Sequence, residues 1–81
     1  MSDVGVIYKV YPKEGELEKA LEGIKKLNPN GLQTEDVAFG IKVIKAFFAF
    51  DDSKTSSSSI EEKLRSIEGV NEVEVDQETL I

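Results

Sequence analysis

The 81 residues make one domain with a small core, since a chain this short buries only about 60–65% of the surface its unfolded form exposes. Without cysteine or histidine it has no disulfide framework, no thiolate nucleophile, no Cys/His zinc site and none of the usual neutral-pH general bases. Sixteen acidic against ten basic residues give a net charge of −6, the wrong sign for a protein that neutralises nucleic-acid phosphates.

The N-terminus, Met1-Ser2-Asp3-Val4-Gly5, has no basic segment ahead of a long apolar one, and no run approaches the roughly 18 apolar residues of a membrane span. The expectation is a soluble, cytoplasmic protein. Val4, Val6, Tyr8 and Val10 alternate with Gly5, Ile7, Lys9 and Tyr11, a strand apolar on both faces that Pro12 closes. After the turn Pro12-Lys13-Glu14-Gly15, residues Leu17, Leu21, Ile24 and Leu27 recur at helical spacing between charged neighbours. That predicts an amphipathic helix over 15–27, acidic toward its start and basic (Lys25-Lys26) toward its end, stopped by Asn28-Pro29-Asn30-Gly31.

Leu32 to Ala38 is polar and fits an edge strand that Glu35 and Asp36 protect from further pairing. Phe39-Gly40 joins it by a short connection, hence an antiparallel hairpin, to the stretch Ile41 to Phe50. This run holds three of the four phenylalanines and no proline, and is too long and apolar for a sheet edge. Alternation sends Ile44, Ala46, Phe48 and Phe50 one way, as the better core face. Val43, Lys45, Phe47 and Ala49 point the other way and read as a partly wetted face. Asp51 to Ser59 is a hydrophilic loop, and Ser58 or Ser59 with Glu61 or Glu62 forms a capping-box pattern ahead of a short helix carrying Ile60, Leu64 and Ile67 and ending at Gly69. Val70, Val73 and Val75 among acidic residues predict a last edge strand, with Thr79-Leu80-Ile81 too short to place.

The order is β-α-β-β-α-β, with apolar first and third strands and polar second and fourth. Burial of the apolar strands selects the ferredoxin-like α+β sandwich: a four-stranded antiparallel sheet in the order 4-1-3-2 with two helices on one face. Such a fold does not by itself name a function.

Phe39 is the most informative candidate. A large aromatic at a hairpin tip buries little of its own surface unless a partner supplies the other half; in a shorter hairpin the same residue continues the alternation of Ile41 and Val43 into the sheet. Lys42 and Lys45 either meet a partner's anionic groups or snorkel from the open sheet face. Asp51, Asp52 and Asp76 have hard-cation ligand chemistry but no loop spacing of a calcium motif, and read as solvated strand ends. The serine run has no neighbouring base to activate a hydroxyl. No catalytic, cofactor or metal residue is therefore expected.

The segment Ala38-Phe39-Gly40-Ile41-Lys42-Val43-Ile44, with the apolar strand that follows it to Asp51-Asp52, resembles the nucleotide-exchange domain of the translation elongation factor 1-beta family, above all its free-standing archaeal form. The likeness runs along nearly the whole chain: Val4 to Val10 ending in Tyr11-Pro12, an amphipathic helix, Glu35-Asp36-Val37-Ala38-Phe39-Gly40, the long strand, a short helix, and Ile67-Glu68-Gly69-Val70-Asn71-Glu72-Val73-Glu74-Val75. The resemblance implies a non-enzymatic exchange factor that binds elongation factor 1-alpha and speeds GDP release so that GTP reloads. It implies partner contacts at Phe39, with Ala38, Gly40, Ile41 and Lys42 beside it. Such a factor needs no bond chemistry, only tighter binding to the empty or distorted partner than to the nucleotide-loaded one. An acidic monomer suits a partner basic enough to hold tRNA.

The chain departs from the family in two places. Eukaryotic members carry a lysine just before the C-terminal residue, implicated in disrupting the partner's magnesium site, where this chain has Leu80. They also tend to have a second lysine where this chain has Val43. The rival reading is a regulatory domain that binds a small metabolite and dimerises through its sheet, with Phe47 and Val43 in the interface. An acylphosphatase-type enzyme is more remote, because it needs an arginine in a phosphate-binding loop near the first helix and the only arginine is Arg65.

Overall fold

Two strands that are apolar on both faces must both lie inside a sheet, and they do. The computed structural model describes residues 3–37 and 40–80. Its elements are β1 (Asp3–Pro12), α1 (Leu17–Lys25), β2 (Gly31–Asp36), β3 (Lys42–Asp51), α2 (Ser57–Arg65) and β4 (Val70–Leu80). The sheet order is β2-β3-β1-β4 with every neighbouring pair antiparallel, which is the expected ferredoxin-like arrangement read from the other edge. β1 and β3 pair along their length, from Asp3 opposite Asp51 to Val10 opposite Ile44.

One face of this pair carries the core. Val6, Tyr8, Val10, Ile44 and Ala46 are fully buried, in one cluster with Ala20 and Ile24 of α1, Ile60 and Leu64 of α2, and Val73 of β4. The Tyr8 and Phe48 rings meet edge to face at 5.9 Å. The Tyr8 hydroxyl donates to the Ser57 carbonyl at 2.8 Å, which satisfies a buried polar atom and ties β1 to the start of α2. Burial pushes the Tyr8 phenol up to about 12, with the Glu61 and Glu78 carboxylates adding to the effect.

α1 is shorter than its apolar spacing predicts. Gly15 is left-handed at φ +77° and Glu16 is not helical, so regular structure starts only at Leu17. At the other end Leu27 and Asn28 donate to the carbonyls three residues back, a tightened last turn, and Asn28 takes φ +56° to reverse the chain. α2 begins earlier than predicted and has a different cap. Ser56 is extended and its hydroxyl accepts from the Ser59 N–H at 3.1 Å, so Ser58 and Ser59 lie inside the first turn and no acidic residue falls there.

β4 runs beyond the predicted strand to Leu80. A bulge makes this possible: Tyr8 faces Val75 while Ile7 faces Gln77, so Asp76 is the extra residue. The displaced carboxylate comes within 3.7 Å of Lys9 and 3.8 Å of Lys45 on the face away from the helices. The α2–β4 connection is held from two sides. Arg65 donates to Glu61, to Glu72 and, at 2.7 Å, to the Val73 carbonyl. Gly69, at φ +95°, lies so near α1 that a Cβ there would stand 3.1 Å from the Glu16 carbonyl oxygen and from the Lys19 Cβ.

Candidate functional site

Among the described elements, β2 and β3 are the two strands that follow one another with no helix between them. β2 contributes almost nothing to the core, its residues from Gln33 onward being exposed. Its pairing with β3 is regular from Gly31 opposite Phe47 to Asp36 opposite Lys42. One step further, the Val37 N–H donates to the Ile41 carbonyl at 2.8 Å and closes the tip. Gly40 takes φ +75° with no atom within 4 Å of a built Cβ, so the turn needs its backbone freedom rather than its lack of bulk.

Of the predicted contact residues, Gly40, Ile41 and Lys42 fall together at this tip, while Ala38 and Phe39 lie outside the described residues. Ile41 is 57% exposed, and so is a residue that sequence reasoning passed over: Val37, at 61%. In the sequence it is the first apolar residue after the polar run Gln33-Thr34-Glu35-Asp36. Val43 corrects a different expectation. It is 2% exposed, buried on the face away from the helices and outside the main cluster, rather than partly wetted.

The two lysines of β3 separate here. Lys45 is engaged within the chain, 3.4 Å from Glu35 and 3.8 Å from Asp76, so three strands converge on its ammonium group. Among the described residues Lys42 reaches only Asp36, at 4.0 Å and with both side chains at least half exposed, a contact worth little in water. It is the more available cation of the pair. Among the described residues, no group of three acidic side chains is arranged to hold a metal ion. Asp51 and Asp76 are spent elsewhere: Asp51 accepts from the Ser53 N–H and hydroxyl, which holds its carboxyl below the usual range, and Asp76 faces Lys9 and Lys45.

Leu80 is 75% exposed and pairs with Val4, at the opposite end of the sheet from the hairpin tip. Among the described residues no helix is long and apolar enough to cross a membrane.

The exposed side chains of Val37 and Ile41 on an acidic frame offer a surface for binding. The family model described as the EF-1 guanine nucleotide exchange domain matches residues 5–81. The chain belongs to that family. Its similarity to curated relatives extends over almost all of both partners. The protein called elongation factor 1-beta in Ignicoccus hospitalis is 38% identical over 84 residues, covering 94% of this chain and 89% of that one. That of Aeropyrum pernix is 38% identical over 94% of this chain and 93% of its own. That of Thermoplasma acidophilum is 33% identical over the whole of both.

Proposed function

We propose that this chain is the guanine-nucleotide exchange factor of translation elongation factor 1-alpha, promoting GDP release and GTP reloading during protein synthesis. The observation that carries this is the match of the exchange-domain family along residues 5–81, nearly the full chain. The whole of residues 1–81 acts as a single exchange domain, monomeric and cytoplasmic, without a catalytic role of its own and without direct nucleic-acid contact. The partner contact is the hairpin tip, at Phe39 with Ala38, Gly40, Ile41 and Lys42. Exchange then follows from linkage: a factor that binds the nucleotide-free partner more tightly than the loaded one lowers nucleotide affinity by the same ratio.

With Leu80 where eukaryotic members have lysine, displacement of magnesium does not run through a cation at that position. Lys42 or backbone groups of the hairpin, or distortion of the partner by Phe39, supplies the difference in binding.

The test is release of fluorescent GDP from archaeal elongation factor 1-alpha, with this protein substoichiometric and unlabelled nucleotide in excess. Turnover of several partners per factor is the expected result. A folded protein that accelerates release from none of several archaeal partners overturns the reading. Phe39→Ala is expected to keep the fold and slow exchange, whereas wild-type rates from a folded Phe39→Ala protein remove Phe39 from the contact.

A further inference from the structure

Four large hydrophobic side chains are strongly exposed among the described residues: Val37, Ile41, Val75 and Leu80. Two of them face each other. Val37 and Ile41 form the next pair after Asp36 and Lys42, joined by the 2.8 Å bond from the Val37 N–H to the Ile41 carbonyl. β2 ends at Asp36 and β3 starts at Lys42; carried one residue past those ends, the alternation of the two strands puts Val37 and Ile41 on the face away from the helices, in the row of Glu35 and buried Val43, and Asp36 and Lys42 on the other side. The tip therefore has an apolar side and an ionic side.

The apolar side is suited to being covered. Both side chains are β-branched, so each has little rotamer freedom to lose on docking. The nearest carboxylate in the same row, Glu35, is already paired with Lys45 at 3.4 Å, so an apolar surface can settle there without stranding a charge. The rim is acidic, with Asp36 81% exposed and only loosely held.

Building on the exchange reading above, we infer that the tip docks on elongation factor 1-alpha by its open-face side. Val37 and Ile41 act together as the specificity-determining contact, and Lys42 stays at the rim. The complementary surface is an apolar patch bordered by basic groups. Val37 is a binding residue in its own right and not a spacer in the hairpin.

The test uses the full chain in the GDP-release assay, titrating factor to obtain its half-saturating concentration and its rate at saturation, with a thermal melt of each variant. Val37→Thr keeps shape and β-branching and so keeps the fold; Ile41→Ser removes more surface. Each is expected to raise the half-saturating concentration by about tenfold, the range of a contact at the centre of an interface, with the saturating rate largely kept. Lys42→Gln is expected to raise it less than Val37→Thr does. Val75→Thr, on β4 and away from the tip, is the control that leaves it unchanged. A folded Val37→Thr protein that titrates like wild type, or a Lys42→Gln effect larger than that of Val37→Thr, overturns this inference while the exchange reading stands. A wild-type protein that accelerates nothing overturns both.

Discussion

The two faces of the one sheet are built from different chemistry. The helix-covered face is a continuous block in which Val6, Tyr8, Val10, Ile44 and Ala46 have no exposed surface at all. The other face has half-buried Ile7 and Phe47 and a line of charges, Glu35, Lys45, Asp76 and Lys9, crossing all four strands. The first face holds the free energy of folding, because apolar burial and packing scale with what is hidden. The second, apart from buried Val43, is bridged by half-buried ion pairs that contribute little, so most of its residues are open to selection for contact. A contact surface that leaves the fold intact when altered belongs on the open face and at the hairpin end, where side chains are exposed.

The sharpest way to break this division is a truncation on each side. Ile44→Ala, at a fully buried site, is expected to cost about 2–5 kcal/mol in chemical denaturation and to lower exchange only through loss of folded protein. A cost near zero would mean that the core lies elsewhere. Gly69→Ala is expected to cost about 1–3 kcal/mol, from a positive φ and a close approach to α1 that side chains relieve only by moving the helix. Tyr8→Phe removes the bond to the Ser57 carbonyl for about 1 kcal/mol at neutral pH.

The same substitution reports on pH. Tyr8 titrates higher in the folded chain than in the unfolded one, so its contribution is complete below pH 10 and is lost as the pH rises from 10 towards about 12. Tyr8→Phe should flatten that alkaline loss, and an unchanged alkaline profile would refute the assignment. On the acid side Asp51 and Glu72 are held below their ordinary values of 3.8 and 4.5 by hydrogen bonds. Their contribution is present at neutral pH and lost as the pH falls past those values. The smallest effect belongs to the open face: Asp76→Asn is expected to cost under about 1 kcal/mol, since both lysine contacts are long and partly exposed.

The fold was legible because its two central strands declare themselves. Val4 to Val10 and Ile41 to Phe50 are apolar at nearly every position, which leaves them no place but the middle, and the polar strands took the edges by default. Details that depend on distant partners were not legible. Four serines in a row offer equivalent caps, and only the extended backbone at Ser56 decides among them. The bulge at Asp76 has no mark in its own segment, because it answers to Lys9 and Lys45 on other strands. At the candidate site, Lys42 was marked by being a lysine in an apolar strand and Ile41 by a resemblance, while Val37 was missed because a valine after a polar run is unremarkable until its exposure is known.

β3 is ten residues long and its neighbour β2 only six, which would leave the apolar end of β3 with an open edge on that side. Asn30, immediately before β2, closes part of it. Its N–H donates to the Phe47 carbonyl at 2.7 Å and its side-chain oxygen accepts from the Ala49 N–H at 3.0 Å, so one amide side chain stands in for a missing stretch of strand. The end it guards reads Phe47-Phe48-Ala49-Phe50, the most adhesive tetrapeptide in the chain. Asn30 thus occupies two backbone groups at the end of β3 that a bare strand edge would leave free to pair with another strand.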